Sequence, residues 1–174
     1  DVERMLEWTV ERELQPGLYS HTDFHFKAPS TALLAGEKVK QDHAMSGFEV
    51  CDYPGEYEVL KEGQRLAKAR IEEIQTQADV GRGSSDSRLL EVGATFKLKH
   101  FPKDSATTEY LIVSSYLQAE SDEFDSMGQR SAGRFLECSI SAIPAAHQFR
   151  SARTTPHPQL TGPQTANVTG AGSN

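Results

Sequence analysis

His21, Asp23 and His25 stand at alternate positions of one segment, so an extended chain sets all three on one face. Two imidazoles and a carboxylate are residue types that zinc takes, and a metal-activated water there would make the chain a hydrolase. The pattern stops at three: there is no Cys-x2-Cys, no His-Glu-x-x-His and no evident fourth ligand, which favours a solvated polar strand face. Gly81-Arg82-Gly83-Ser84-Ser85 offers backbone N–H groups to an anion, but a phosphate loop needs Gly-x4-Gly-Lys-Ser/Thr, and a polar turn is the expectation. Asp122, Glu123 and Asp125 precede Gly128, yet the twelfth position counted from Asp122 is Gly133 instead of the Glu a calcium loop requires. Cys138 lies at an apolar position of an alternating run and reads as a small core hydrophobe; no Gly-x-Ser-x-Gly elbow occurs. Glu109 and Glu120 are a conceivable carboxylate pair with nothing to set their separation, and Asn167-Val168-Thr169 is a sequon without a visible leader. No acid, base and nucleophile converge, so the residues predict a structural or binding role with no catalytic, cofactor or metal site.

The elements that would position these residues are mostly strands. Met5 to Glu13 alternates, with Leu6, Trp8 and Val10 on one face. Leu18 to Lys27 alternates too, and Pro16-Gly17 between them predicts a hairpin. Ala28 to Ser46 reads as loop with a short strand at Thr31 to Leu34, and Gly47 to Tyr53 as a further strand closed by Pro54-Gly55. From about Tyr57 to Ala78 the stripe Ala67, Ile71, Ile74 and Ala78 predicts a helix, with Gly63 its weak point. Asp79 to Ser87 reads as a Gly/Ser loop. Ala94 to His100, Glu109 to Gln118 (apolar on both faces, hence central) and Arg134 to Ile143 complete the strands. One helix with six or seven short strands gives a mainly β, α+β chain, expected to form an antiparallel β-barrel module over residues 1–150. Residues 151–174, punctuated by Pro156, Pro158 and Pro163, read as an extended arm.

The 174 residues carry 18 basic and 25 acidic side chains, a net charge of −7. That balance argues against duplex nucleic acid as a partner. No apolar run approaches the ~18 residues that span a bilayer, so no stable membrane insertion is expected. No signal peptide is visible, and two cysteines make no disulfide framework, which fits a reducing compartment. The opening at Asp1 suggests a piece of something longer.

Several segments together resemble the VgrG proteins, trimeric spikes of bacterial type VI secretion systems. Phe48-Glu-Val-Cys-Asp-Tyr-Pro-Gly-Glu-Tyr57 is similar to their "hydrophobic-Tyr-Asp-Tyr-Pro-Gly-x-Tyr" segment, and Ala67-Lys-Ala-Arg-Ile-Glu-Glu73 to "Ala-x-x-Arg-hydrophobic-Glu-Glu". The stretch from Gly83 to Leu98 resembles "Gly-x-Ser … Leu-x-x-Gly-x-x-Phe-x-Leu", and Glu109-Tyr-Leu-Ile-Val113 the strand after it. Phe149 to Pro158 and Gly162 to Gly170 resemble the family's exit sequence. Ala35 to Ser46 follows no family pattern.

The resemblance implies the latter part of a phage-tail-hub-like domain, lacking a first barrel module, the OB-fold and the needle. It implies a structural, non-enzymatic spike component that forms a homotrimer, docks on the Hcp tube and carries a needle, with effectors or a tip protein beyond. Assembly in the bacterial cytoplasm and export by the type VI apparatus would follow. A phage tail baseplate hub is the neighbouring reading, and the metal-assisted hydrolase on His21, Asp23 and His25 the distant one. The tail is expected to be extended and held mainly by neighbours.

Overall fold

The structure, a computed structural model, describes residues 3–100, 108–120, 135–167 and 170. Its elements are β1 (Met5–Arg12), β2 (Leu18–His21), β3 (Ala35–Lys38), β4 (Glu49–Asp52), α1 (Leu60–Gln75), β5 (Asp79–Ser85), β6 (Thr95–Lys97), β7 (Glu109–Glu120) and β8 (Phe135–Pro144). They form two sheets. One is five-stranded and antiparallel, in the order β1-β5-β8-β7-β6; the other is three-stranded, β3-β2-β4, with β2 and β4 parallel. The mainly β composition with one helix is as the sequence indicates.

Among the described residues the closed barrel is not formed. β1 and β6 end the large sheet and do not pair, so it is an open, curled half-barrel. Side chains of the two outer strands meet over its concave face instead: Trp8 of β1 lies edge-on to Phe96 of β6 at 5.5 Å and to Tyr110 of β7 at 5.0 Å. Beneath them Ile112, Cys138 and Ile140 are buried, with Met5, Leu90 and Ala94 packed against them. Edge-to-face rings add to area burial, so this aromatic group holds the curl without a closing ladder.

Asp79–Ser85, expected as a loop, is strand β5, paired on both sides with β1 and β8. Its glycines serve packing. A Cβ on Gly81 would collide with the Trp8 indole, and one on Gly83 would stand 2.7 Å from Trp8 Cε3. Glycine in a strand interior marks such close approach.

The hairpin at Pro16-Gly17 is also overturned. β1 joins the five-stranded sheet while β2 joins the other, so this dipeptide is a crossing between sheets. Gly17 is buried, and a Cβ there would strike the Ser46 carbonyl oxygen. β2 stops at His21 instead of running to Lys27, and the short strand expected at Thr31 to Leu34 starts later, at Ala35.

Helix α1 covers the three-stranded sheet. Ala67 and Ile71, both fully buried, pack on Tyr19 of β2, with Val39 and Ile74 alongside; Leu66 packs with Leu33, Ala35 and Tyr57. This is the stripe read from the sequence, trimmed at both ends. Among the described residues no helix is long and apolar enough to cross a membrane.

A candidate structural site between β4 and the helix

The polar groups that converge most closely lie where β4 hands over to α1. Tyr57 is the centre. Its ring sits between Gly55 and Gly63, where a Cβ on either would collide with it. Its hydroxyl is buried against the carbonyl oxygens of Leu33 and His21, 2.9 Å from the latter. Burial pushes the Tyr57 phenol above its ordinary range, and the Asp23 carboxylate adds to that. The phenol therefore stays a donor, tying the loop before β3 to the end of β2.

His21 lies beside it, 3% exposed, with its ring 4.7 Å from that of Tyr57. Its Nε2 is 2.7 Å from the carbonyl oxygen of Gly63. A carbonyl only accepts, so Nε2 carries the proton and donates. Gly63, read as a weak point of the helix, is thus the place where Tyr57 lies against α1 and where His21 is tied to it.

Asp23 holds the incoming loop. Its carboxylate accepts the backbone N–H groups of Phe24 at 2.6 Å, Glu56 at 2.5 Å and Tyr57 at 3.4 Å. The Phe24 bond leads in pulling the Asp23 carboxyl below the usual carboxylate range, helped by Glu56 and Tyr57. Glu56 sits in the left-handed region at φ 59°, unusual for a residue with a side chain. Asp52 closes the other side, 3.4 Å from the Tyr19 hydroxyl.

The three residues of the zinc pattern are therefore separated in role. His21 is spent on the helix, Asp23 on backbone donors, and His25 points to Glu58 at 3.9 Å. Their strand ends at His21, so the alternation that would align them is lost. Among the described residues no group of three His, Cys, Asp or Glu side chains could hold a metal. Glu109 pairs with Lys97 at 3.7 Å and stands at the opposite end of β7 from Glu120, roughly 35 Å away at strand rise. Cys138 is 3% exposed, and burial pushes its thiol up, consistent with a packing role. Asp122, Glu123, Asp125, Gly128 and Gly133, and Val168 and Thr169 of the sequon, lie outside the described residues.

The sequence reading gives Tyr57, Gly55 and Gly63 only as a helix start, a strand stop and a weak point of the helix; it missed the joint they form and the part of Glu56 in it. An isolated Gly inside a helical stripe, six residues after a Tyr, is the signal that could have found them. It also missed the arm: Arg153 reaches Glu56 at 3.0 Å and Arg150 reaches Glu72 at 2.7 Å, so the arm's first part rests on this chain's own helix.

A family profile described as the phage tail baseplate hub (GPD) matches residues 1–123. The chain is 34% identical over 168 residues, 97% of its length, to the type VI secretion system spike protein VgrG1c of Pseudomonas aeruginosa, covering 23% of that protein. It is 33% identical over 97% of its length to VgrG1a, and 32% over 94% to VgrG1b, both spike proteins of the same organism. It spans about a quarter of these relatives, 26% of VgrG1a and 22% of VgrG1b.

Proposed function

The chain belongs to the phage tail baseplate hub family, in its VgrG spike branch, and from that premise we propose that it is a hub segment of a type VI secretion spike. In this reading three copies associate, the ring docks on the Hcp tube, and the arm leads toward a needle that carries effectors or a tip protein. The role is structural, without turnover. It acts after assembly in the bacterial cytoplasm and leaves with the apparatus.

The observation that carries the proposal is how the family-like segment is used. In Asp52 to Tyr57, the buried and loop-fixing polar groups are tied internally: Asp52 to Tyr19, the Glu56 and Tyr57 N–H groups to Asp23, the Tyr57 hydroxyl to two carbonyls. A reacting site keeps groups free to meet a substrate; a shape-keeping joint does not. The half-barrel's two unpaired outer strands also suit a piece that continues into neighbours, and a stable ring would bury well over ~1,200 Å² per interface.

Co-sedimentation of the whole gene product with assembled Hcp rings tests the proposal. A stoichiometric complex supports it. Absence of binding to Hcp, with binding to a phage tail-tube protein instead, moves the assignment to a phage baseplate. Tightly bound stoichiometric zinc would revive the hydrolase.

A further inference from the structure

Residues 148–157 have no regular secondary structure, yet they are fastened along the last turns of α1. Thr76 Oγ1 accepts the Arg150 backbone N–H at 3.2 Å, and Glu72 takes the Arg150 guanidinium at 2.7 Å. Glu73, itself steadied by Arg70 at 2.5 Å, accepts the Arg153 backbone N–H at 2.8 Å. Glu56 then takes the Arg153 guanidinium at 3.0 Å and lies 3.3 Å from His157 Nε2. Past His157 the pattern stops: residues 158–167 are exposed and make no hydrogen bond among the described residues. Leu160 is 80% exposed, and Gly162 turns the chain at φ +96°.

We propose that residues 148–157 form an electrostatic strap. Docked, it fixes the direction in which the chain leaves the helix and puts the flexing point after His157, not at the start of the Pro-rich stretch. Ionic strength is its release. Glu56 is the pivot, because its backbone is pinned by Asp23 and its carboxylate by the strap, so the strap and the Tyr57 joint share one residue. Single exposed ion pairs contribute little, but here three carboxylates, two on α1 and Glu56 in the loop before it, hold Arg150, Arg153 and His157 within one ten-residue stretch, with two backbone N–H ties. Pulling on the arm then loads α1 before it loads β8. The inference stands whether or not the chain trimerises.

Trypsin reads the strap directly, because Arg150 and Arg153 are both anchors and cleavage points. Cleavage after them is measured relative to cleavage after exposed Arg88, so that salt effects on the protease cancel. The expected result is slow relative cleavage at low salt, rising about tenfold by about 0.5 M salt as the pairs are screened. The triple variant Glu56→Gln, Glu72→Gln, Glu73→Gln is expected to cleave fast at every salt concentration, with its helical circular dichroism unchanged. As a second readout, exchange of the Arg153 amide is slow in the parent and fast in Glu73→Ala. Relative cleavage that ignores both salt and the triple substitution, or an Arg153 amide that exchanges freely in the parent, overturns the proposal.

Discussion

Both halves of the molecule seat an aromatic ring on two glycines, and they finish the job differently. In the half-barrel Trp8 lies on Gly81 and Gly83, and its indole N–H has no protein acceptor among the described residues. In the helix layer Tyr57 lies between Gly55 and Gly63, and its hydroxyl meets two carbonyls. The first joint rests on area and shape; the second adds direction, because a hydrogen bond fixes which backbone atoms must meet. An apolar joint tolerates sliding; a hydrogen-bonded one specifies a single arrangement. That places the directional joint beside the strap, where the chain leaves, and the adaptable one in the sheet whose edges are open.

Trp8 is the only tryptophan, so its fluorescence reports the half-barrel while circular dichroism at 222 nm reports α1. The largest expected effect is on the apolar joint. Trp8→Ala removes the ring from Gly81 and Gly83 and is expected to lose about 4 kcal/mol in chemical denaturation, with Gly81→Val close behind through overpacking. A loss below about 1 kcal/mol for Trp8→Ala would show that the indole does not hold the curl. Ile71→Ala, at the buried stripe of α1, is expected to cost about 3 kcal/mol.

Tyr57→Phe sharpens the comparison, because it keeps the ring and removes only the direction. It is expected to cost about 1.5 kcal/mol by leaving the Leu33 and His21 carbonyls unpaired. No loss would make the two joints equivalent. The pH dependence follows from Asp23. Its carboxyl sits below the usual range when folded, so its contribution is fully present above the unfolded value near pH ~4 and is lost as pH falls through the folded value. Urea titrations from pH 6 downward should show this acid loss in the parent and a flatter curve in Asp23→Asn. The smallest effect belongs to the surface: Arg82→Ala breaks the exposed pair with Glu11 and is expected to change stability by less than about 1 kcal/mol.

Local pattern exposed most of the elements. The existence of β1, β7 and β8 and the Ala67-Ile71-Ile74 stripe follow from each segment's own pattern, but the strand faces read only in part: the register shift between Met5 and Glu7 turns Met5 inward and leaves Leu6 half exposed, and β7, read as apolar on both faces, exposes Tyr116 and Leu117. β5 did not read as a strand, because Gly81 and Gly83 answer to Trp8, more than seventy residues earlier, and a glycine chosen for a distant ring looks like a turn. The hairpin failed for the same reason: Gly17 makes room for the Ser46 carbonyl, not for a reversal. His21, Asp23 and His25 were legible as polar residues, but their parting depends on β2 ending at His21, which the register with β4 decides. The strap was hidden by composition. Pro and Thr after Arg150 and Arg153 read as an extended arm held mainly by neighbours, while carboxylates of the same chain that tie its first part lie some eighty residues upstream.

The central claim is that this chain is a shape-giving segment of a multi-copy spike hub. Native mass spectrometry of the whole gene product tests it most directly. The account predicts three copies per particle at micromolar concentration, with no bound metal or small molecule in the mass. A stable monomer that carries a stoichiometric metal or ligand would contradict it.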